Sequence, residues 1–297
     1  MKECNLCGSK DFKFLFSSKD MMYESRETFK VYQCSKCRLT FINPQPRNLS
    51  KYYPKNYYSF ESKKSKFKER ITYLYYRYGF FHFLLKLFRK IYKFRDIKPI
   101  KNRKILDVGC GYGEFLMQFR KFGMACYGVE PGDFDKKTAE KNNIKITKGE
   151  LKDAEYPSDF FDIITMRHSL EHVNNPAETL AEAKRSLKKT GYLVIEVPNI
   201  DSALFRRYKK YWSHLDVPRH LFDFSEKTIK MYAKKIGLKI KRINHVTYPY
   251  SILTSIKYEK KGKGVVTGKF LNLAAWPITF FIDMAKKSDC IEVVLHK

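Results

Sequence analysis

Residues 105–114 constrain the fold of this chain more than any other stretch. Ile105-Leu106-Asp107-Val108 is a short apolar run of strand type, Gly109-Cys110-Gly111-Tyr112-Gly113 is a glycine-rich turn, and Glu114 to Arg120 begins a helical pattern. Strand, turn and helix in that order make a nucleotide-type site, because glycines let the backbone approach a ligand closely where the turn opens onto the helix. A second apolar run, Ala125 to Val129, ends in Glu130, 23 residues beyond Asp107. An acid in that place accepts the two hydroxyls of a ribose.

Ribose recognition alone leaves NAD and S-adenosylmethionine open, and Asp107 separates them. An acid two residues before the first glycine raises the energy of a pyrophosphate and lowers that of a ligand carrying a sulfonium and an ammonium. Here the chain resembles the class I S-adenosylmethionine-dependent methyltransferases, whose first motif Asp107-Val108-Gly109-Cys110-Gly111-Tyr112-Gly113 matches almost residue for residue. The resemblance implies an α/β fold with a Rossmann-like seven-stranded sheet. It also implies cofactor contacts from Asp107, Gly109, Cys110, Gly111, Gly113, Glu130, Pro131, Glu150, Leu151 and Arg167. Later segments agree in order: Ile146 to Leu151 looks like the third strand with its acidic loop, and Phe161 to Met166 like the fourth. Ala177 to Leu187 reads as a helix, and Gly191 to Asn199 as the fifth strand with Gly191 as the turn before it. Lys239 to Val246 and Ile291 to His296 supply two more strands, the last expected as the antiparallel insert between strands five and six.

Seven cysteines are present, and four of them form two knuckles, Cys4-x-x-Cys7 and Cys34-x-x-Cys37, 26 residues apart. Four thiolates in this spacing close a tetrahedral zinc site, and a full ligand set makes it structural. Gly8 follows the first knuckle; Arg38 stands where the second would favour a glycine for a left-handed turn. A module of residues 1–46 has little core without its metal.

The chain as a whole resembles zinc-ribbon methyltransferases of surface-polysaccharide and modified-sugar pathways. Cys37 to Pro46, Leu170-Glu171-His172-Val173 and Leu215 to Ser225 carry this narrower likeness. Sugar C-methyltransferases of similar layout have a His-Glu-His stretch where this chain has Pro218-Arg219-His220. Only His220 matches, which favours transfer to a hydroxyl over transfer to carbon. The expected catalytic set is His220 as base, Arg219 orienting an anionic substrate group, and His172; a purely structural role for His220 stays open. Ubiquinone-pathway O-methyltransferases, which the core also resembles, carry a Glu-x-x-Glu-His able to hold a divalent ion. His168-x-x-Glu171-His172 departs from it at the first position.

The net charge of +28 favours anionic partners, and its distribution is uneven: residues 63–104 and 201–263 hold most of the excess, whereas 105–200 are slightly acidic. Residues 47–100 read as a basic, aromatic cap or linker, with Tyr52, Tyr53, Tyr57, Tyr58 and Phe60 followed by a helical stripe from Phe67 to Arg95. The catalytic domain is expected over 101–297, with an amphipathic insert near 257–287: a basic hairpin-like stretch from Lys257 to Lys269, then an apolar run from Phe270 to Ala285. That run is broken by Pro277 and too short to span a bilayer. The first residues do not resemble a secretory leader, so the expected place is the cytoplasm, including the inner face of the plasma membrane.

Three functional classes follow. The first is methylation of a nucleotide-linked or lipid-linked sugar or glycan, with peripheral contact to anionic membrane. The second is an RNA methyltransferase gripping phosphates with the ribbon and basic flanks, which no RNA-binding motif accompanies. The third is a membrane-surface binding protein without turnover.

Overall fold

The computed structural model describes residues 1–23, 27–53, 100–260 and 275–297. The Tyr57–Phe60 aromatic run, the Phe67–Arg95 helical stripe and the basic stretch from residue 261 lie outside the described residues. The described chain forms two compact units. One comprises residues up to 53, 166–184 and 193–297; the other comprises 100–165 and 185–192. The linear division at residues 46 and 100 is therefore not the division of contacts, since the cysteine module groups with the C-terminal residues.

In the first unit a four-stranded sheet runs β1 (Phe12–Lys19), β2 (Thr28–Cys34), β3 (Thr40–Ile42), β9 (Phe222–Asp223). Its three named pairings are antiparallel, with Thr40 opposite Asp223 and Phe41 opposite Phe222. All three residues of β3 are buried. The cysteine module thus gains from β9 a strand and a core that it cannot build from its own length, each fully buried large side chain contributing about 1.5–3 kcal/mol.

In the second unit β4 (Lys104–Val108), β5 (Ala125–Glu130) and β6 (Ile144–Lys148) pair in parallel, joined by α1 (Glu114–Arg120) and α2 (Lys136–Lys141). Ile105 and Leu106 of β4, Leu116 and Phe119 of α1, and Phe161 are fully enclosed and form the core of this unit. Asp135 caps α2 by accepting from Thr138 N at 3.0 Å.

β7 (Phe161–Arg167) and β8 (Leu187–Pro198), with α3 (Pro176–Ser186) between them, each pass from one unit into the other. The large sheet has the order β10-β11-β8-β7-β4-β5-β6, where β10 is Lys239–Val246 and β11 is Cys290–His296. The last strand does insert out of sequence and pairs antiparallel with β10, as a seven-stranded methyltransferase sheet requires.

One expectation needs correction. Gly191 is not a turn before the strand but lies inside the 12-residue β8. A Cβ there would stand 2.8 Å from Leu187 Cδ1 and 3.0 Å from the carbonyl oxygen of Asp162, so close packing requires the glycine.

The remaining helices are α4 (Ala203–Tyr208), α5 (Glu226–Ile236), α6 (Pro249–Glu259) and α7 (Trp276–Met284). Ser225 and Thr228 form a reciprocal cap on α5, and Gly237, at φ 66°, ends it. Ile229, Tyr232 and Ala233 give α5 its buried stripe. Lys257, expected at the start of a hairpin, instead lies in the last turn of α6. Among the described residues no helix is long and apolar enough to cross a membrane.

Candidate functional site

Three constellations carry chemistry, and the first is the cysteine cluster. Cys4 Sγ lies 3.4 Å from Cys37 Sγ, and Cys7 Sγ 3.6 Å from Cys34 Sγ, with all four sulfurs within 4.8 Å of one another. A tetrahedron of sulfurs about 2.3 Å from zinc has edges of about 3.8 Å, so the four fit that ion. The two knuckles are built alike: Gly8 N donates to Cys4 O at 2.8 Å and Arg38 N to Cys34 O at 2.9 Å, with φ of 71° and 72°. Sulfur contact with Cys37 pulls the Cys4 thiol down to about 5, while the same contact pushes Cys37 up. This asymmetry is that of a pair sharing one proton, which a metal would displace. Tyr232 OH donates to Asn5 Oδ1, and Lys235 Nζ donates to the carbonyls of Asn5 and Leu6, tying α5 to the first knuckle.

The second constellation is the glycine turn after β4. Gly109, Gly111 and Gly113 have φ of 75°, 54° and 86°, a run of left-handed residues that side chains resist. The Glu130 carboxylate shapes the turn: Gly111 N donates to Oε2 and Gly132 N to Oε1, both at 2.8 Å. Each oxygen keeps a lone pair, so Glu130 can hold the loop and still accept from ribose hydroxyls.

Asp107 is buried at the end of β4 and accepts from Thr165 Oγ1 at 2.5 Å. Cys110 contributes backbone rather than sulfur, because its thiol rests on β5 where a Cβ at Gly128 would meet Sγ at 2.4 Å. Burial, with Asp107 and Glu130 nearby, pushes that thiol well up. Glu150 is engaged locally, exchanging cap hydrogen bonds with Asp153 across a short helical turn in which Leu151 is buried; Pro131 is exposed just past β5. Acidic groups around a backbone-lined turn suit a cationic nucleoside, so these residues fit S-adenosylmethionine.

The third constellation lies in the first unit and is richer than the sequence suggested. Arg167 and His168 follow the buried part of β7. Arg167 Nε is 4.0 Å from Glu196 Oε2, while His168 stands between Glu171, at 3.5 Å, and Glu196, at 3.4 Å. Burial alone would lower the pKa of His168, but the two carboxylates raise it to about 9. Tyr248 OH also donates to Glu196.

His172 Nδ1 is 2.9 Å from Arg219 O and 3.0 Å from Tyr53 OH, and its ring meets His220 edge to face at 4.7 Å. His220 itself is buried. Its Nε2 is 3.9 Å from Glu171 and from Asp216, beyond hydrogen-bond reach, and its Nδ1 has no partner. Burial, then the neighbouring His172, His214, His168 and Arg219, push its pKa well below the usual histidine value, which favours the neutral imidazole.

Two of the expected roles change. Arg219 does not face a ligand. It is fully buried, and its five N–H groups are taken by Asp20 (2.7 and 2.9 Å), Asp216 and the carbonyl of Tyr52 (3.0 Å). An arginine with every donor committed orients no substrate anion; it fixes the loop bearing His220. The second change concerns the divalent-ion reading at His168, Glu171 and His172. The triad with ligand atoms within 4.8 Å is Glu171, His172 and His220, and His168 is instead held by Glu196 as well as Glu171.

Several members escaped the sequence reading. Glu196, in Val194-Ile195-Glu196-Val197, and Asp223, in Leu221-Phe222-Asp223-Phe224, are acids inside apolar runs, a signal that was available. Both carboxylate oxygens of Asp223 are buried without hydrogen-bond partners, and burial, with Glu171 next in weight, pushes its pKa well up. Asp20 sits in an ordinary context, and Tyr53 stands out only as a member of the basic, aromatic stretch, so neither is marked as a partner of the cluster.

Comparison with known proteins matches residues 75–243 to a family described as a methyltransferase domain. An uncharacterized protein of Methanocaldococcus jannaschii is 28% identical over 134 residues, 45% of this chain and 63% of that protein. A ubiquinone biosynthesis O-methyltransferase of Pelagibacter ubique is 30% identical over 115 residues, 34% of this chain and 45% of that enzyme. The chain spans about half the length of the curated relatives it matches. Among solved structures, a SAM-dependent methyltransferase of Archaeoglobus fulgidus is 20% identical, covering 73% of this chain and 100% of that one with a TM-score of 0.48.

Proposed function

The chain belongs to the methyltransferase-domain family, and from that premise we propose that it transfers a methyl group from S-adenosylmethionine to a hydroxyl of a sugar or glycan, nucleotide-linked or lipid-linked, in surface-polysaccharide synthesis. The observation that carries the transfer to oxygen is His220, a buried neutral imidazole whose Nδ1 has no partner. Methylating a hydroxyl releases one proton, and a neutral imidazole is the group to receive it. Glu171, with both oxygens lacking hydrogen-bond partners and Oε1 3.9 Å from His220 Nε2, offsets the charge that appears on the ring.

Bound S-adenosylmethionine supplies an activated methyl on a sulfonium. The chain's own part is to hold it: the left-handed turn at Gly109, Gly111 and Gly113 brings backbone close, Asp107 and Glu130 favour its positive charge, and Glu130 keeps lone pairs for the ribose. The acceptor class rests on the sequence resemblance, with the cysteine cluster and the Leu215–Ser225 segment as its marks.

The test is transfer of labelled methyl from S-adenosylmethionine into host-cell extract, followed by separation of nucleotide-sugar, organic-soluble and RNase-sensitive products. Label in either of the first two supports the reading. Label lost to RNase would replace it with an RNA methyltransferase, and label in neither would remove the acceptor class.

A further inference from the structure

α7 is built inside out. Thr279 is buried and Ile282 and Asp283 are half-buried, so the face turned to the protein is short and partly polar. Turned to solvent are Ile278, Phe280, Phe281 and Met284, which are 55%, 43%, 67% and 62% exposed. Positions 277, 280 and 284 form one row on a helix and 278 and 281 the adjacent one, so these side chains make a single apolar face. A helix whose packing drives its folding puts such residues inward; a contiguous outward face marks a surface that something else covers.

The charges around it say what. The helix is followed directly by Lys286 and Lys287, both exposed. The carbonyl of Lys287 accepts from Ala203 N at 2.9 Å, which joins this end of α7 to the start of α4. An apolar helical face followed at once by two exposed lysines, on a chain of net charge +28, complements an anionic lipid surface: hydrocarbon takes the rings and headgroups take the lysines.

We propose that α7 docks the protein on anionic phospholipid, lying in the interface plane with Phe280, Phe281, Ile278 and Met284 among the acyl chains and Lys286 and Lys287 at the headgroups. Nine residues are too few to cross, so the contact is peripheral. It adds a partner to the proposed function and does not depend on which hydroxyl is methylated.

The test is sedimentation of the full chain with vesicles of phosphatidylcholine containing about one quarter phosphatidylglycerol, against vesicles of phosphatidylcholine alone, at low and high salt. The expected result is binding to the mixed vesicles that weakens about tenfold on the neutral ones and falls again with salt. Phe281→Glu, and independently Met284→Glu, should each lower binding about tenfold while S-adenosylmethionine affinity stays unchanged. Two variants on an exposed face keep the test usable if either one folds poorly. Wild-type protein that ignores the mixed vesicles overturns the proposal. So does binding that both variants retain in full, which would assign it to charge alone, or a dimer that Phe281→Glu turns into a monomer, which would make the face a contact between two copies.

Discussion

The glycine turn and the histidine cluster solve opposite problems. In the turn, polar groups satisfy one another: Glu130 accepts from Gly111 N and Gly132 N within the same stretch of chain, and Thr165, on the neighbouring β7, donates to Asp107. In the cluster, buried acids and imidazoles are drawn from widely separated segments and several are left unsatisfied, with Glu171, Asp223 and His220 each holding buried atoms that lack hydrogen bonds. A satisfied site is preorganised to hold a ligand; an unsatisfied one stores the capacity to take up a proton or a polar group. The difference teaches that binding and proton transfer are separable in this chain, and that substitutions should sort cleanly between them.

The largest effect is expected at His220. His220→Ala should lower turnover about a hundred- to ten-thousandfold while leaving S-adenosylmethionine affinity within a factor of about two. Full turnover with saturating acceptor would return His220 to a structural role. Arg219→Ala comes next. It strands Asp20 and Asp216, which are nearly without solvent, and should cost about 3–5 kcal/mol of stability in urea unfolding. Arg219→Lys should rescue little, because an ammonium cannot reproduce the fork. A loss under about 1 kcal/mol for Arg219→Ala would mean that the clasp is not what fixes the loop.

His168 gives a pH signature to the cluster that the turn lacks. Its pKa rises on folding from the usual 6.5 to about 9, so the protonated form binds its surroundings more tightly when folded. The stabilisation is therefore complete below pH 6.5 and disappears as pH climbs through 9, about 3 kcal/mol in all by linkage. Urea stability measured from pH 6 to 9.5 should fall over that window for the wild type and stay flatter for His168→Gln. Parallel slopes would show that His168 is not held between the two carboxylates.

On the other side of the comparison, Glu130→Ala should weaken S-adenosylmethionine about tenfold, or ~1.4 kcal/mol, in a calorimetric titration. Glu130→Gln should do no better, because an amide nitrogen would face a backbone N–H, donor against donor. Affinity unchanged in both would remove Glu130 from the cofactor site.

The same contrast explains what the sequence revealed. The turn was legible because its members lie within one strand-turn-helix unit and the spacing to Glu130 is local. The knuckles were legible because ligand spacing is itself the signal. The cluster was legible only in part: His220 and His172 stood out as histidines, but Asp20, 199 residues from Arg219, has nothing near it in sequence to announce a partner. Arg219 misled for the same reason, since an arginine beside a candidate base looks like a substrate handle until its five donors are traced. Gly191 misled because a glycine before an apolar run resembles a turn, whereas close packing against Leu187 and Asp162 is a tertiary fact.

The smallest expected effect tests the cysteine module, where sequence and structure agree most closely. Gly8 and Arg38 occupy equivalent places with φ of 71° and 72°, yet only one of them is a glycine. A side chain in that region costs about 1–2 kcal/mol, and a glycine there gives back about 0.5–1 kcal/mol through the freedom of the unfolded chain. Arg38→Gly should thus stabilise the protein by about 0.5–1 kcal/mol. Gly8→Ala should destabilise by a similar amount, and since no atom lies within 4 Å of a Cβ at Gly8, that loss would be purely of backbone origin. Thermal unfolding of both variants, made in zinc-replete protein, reads the two with opposite signs. If both destabilise, the Arg38 side chain contributes more to the second knuckle than its backbone strain removes, and the knuckles are equivalent in shape but not in energy.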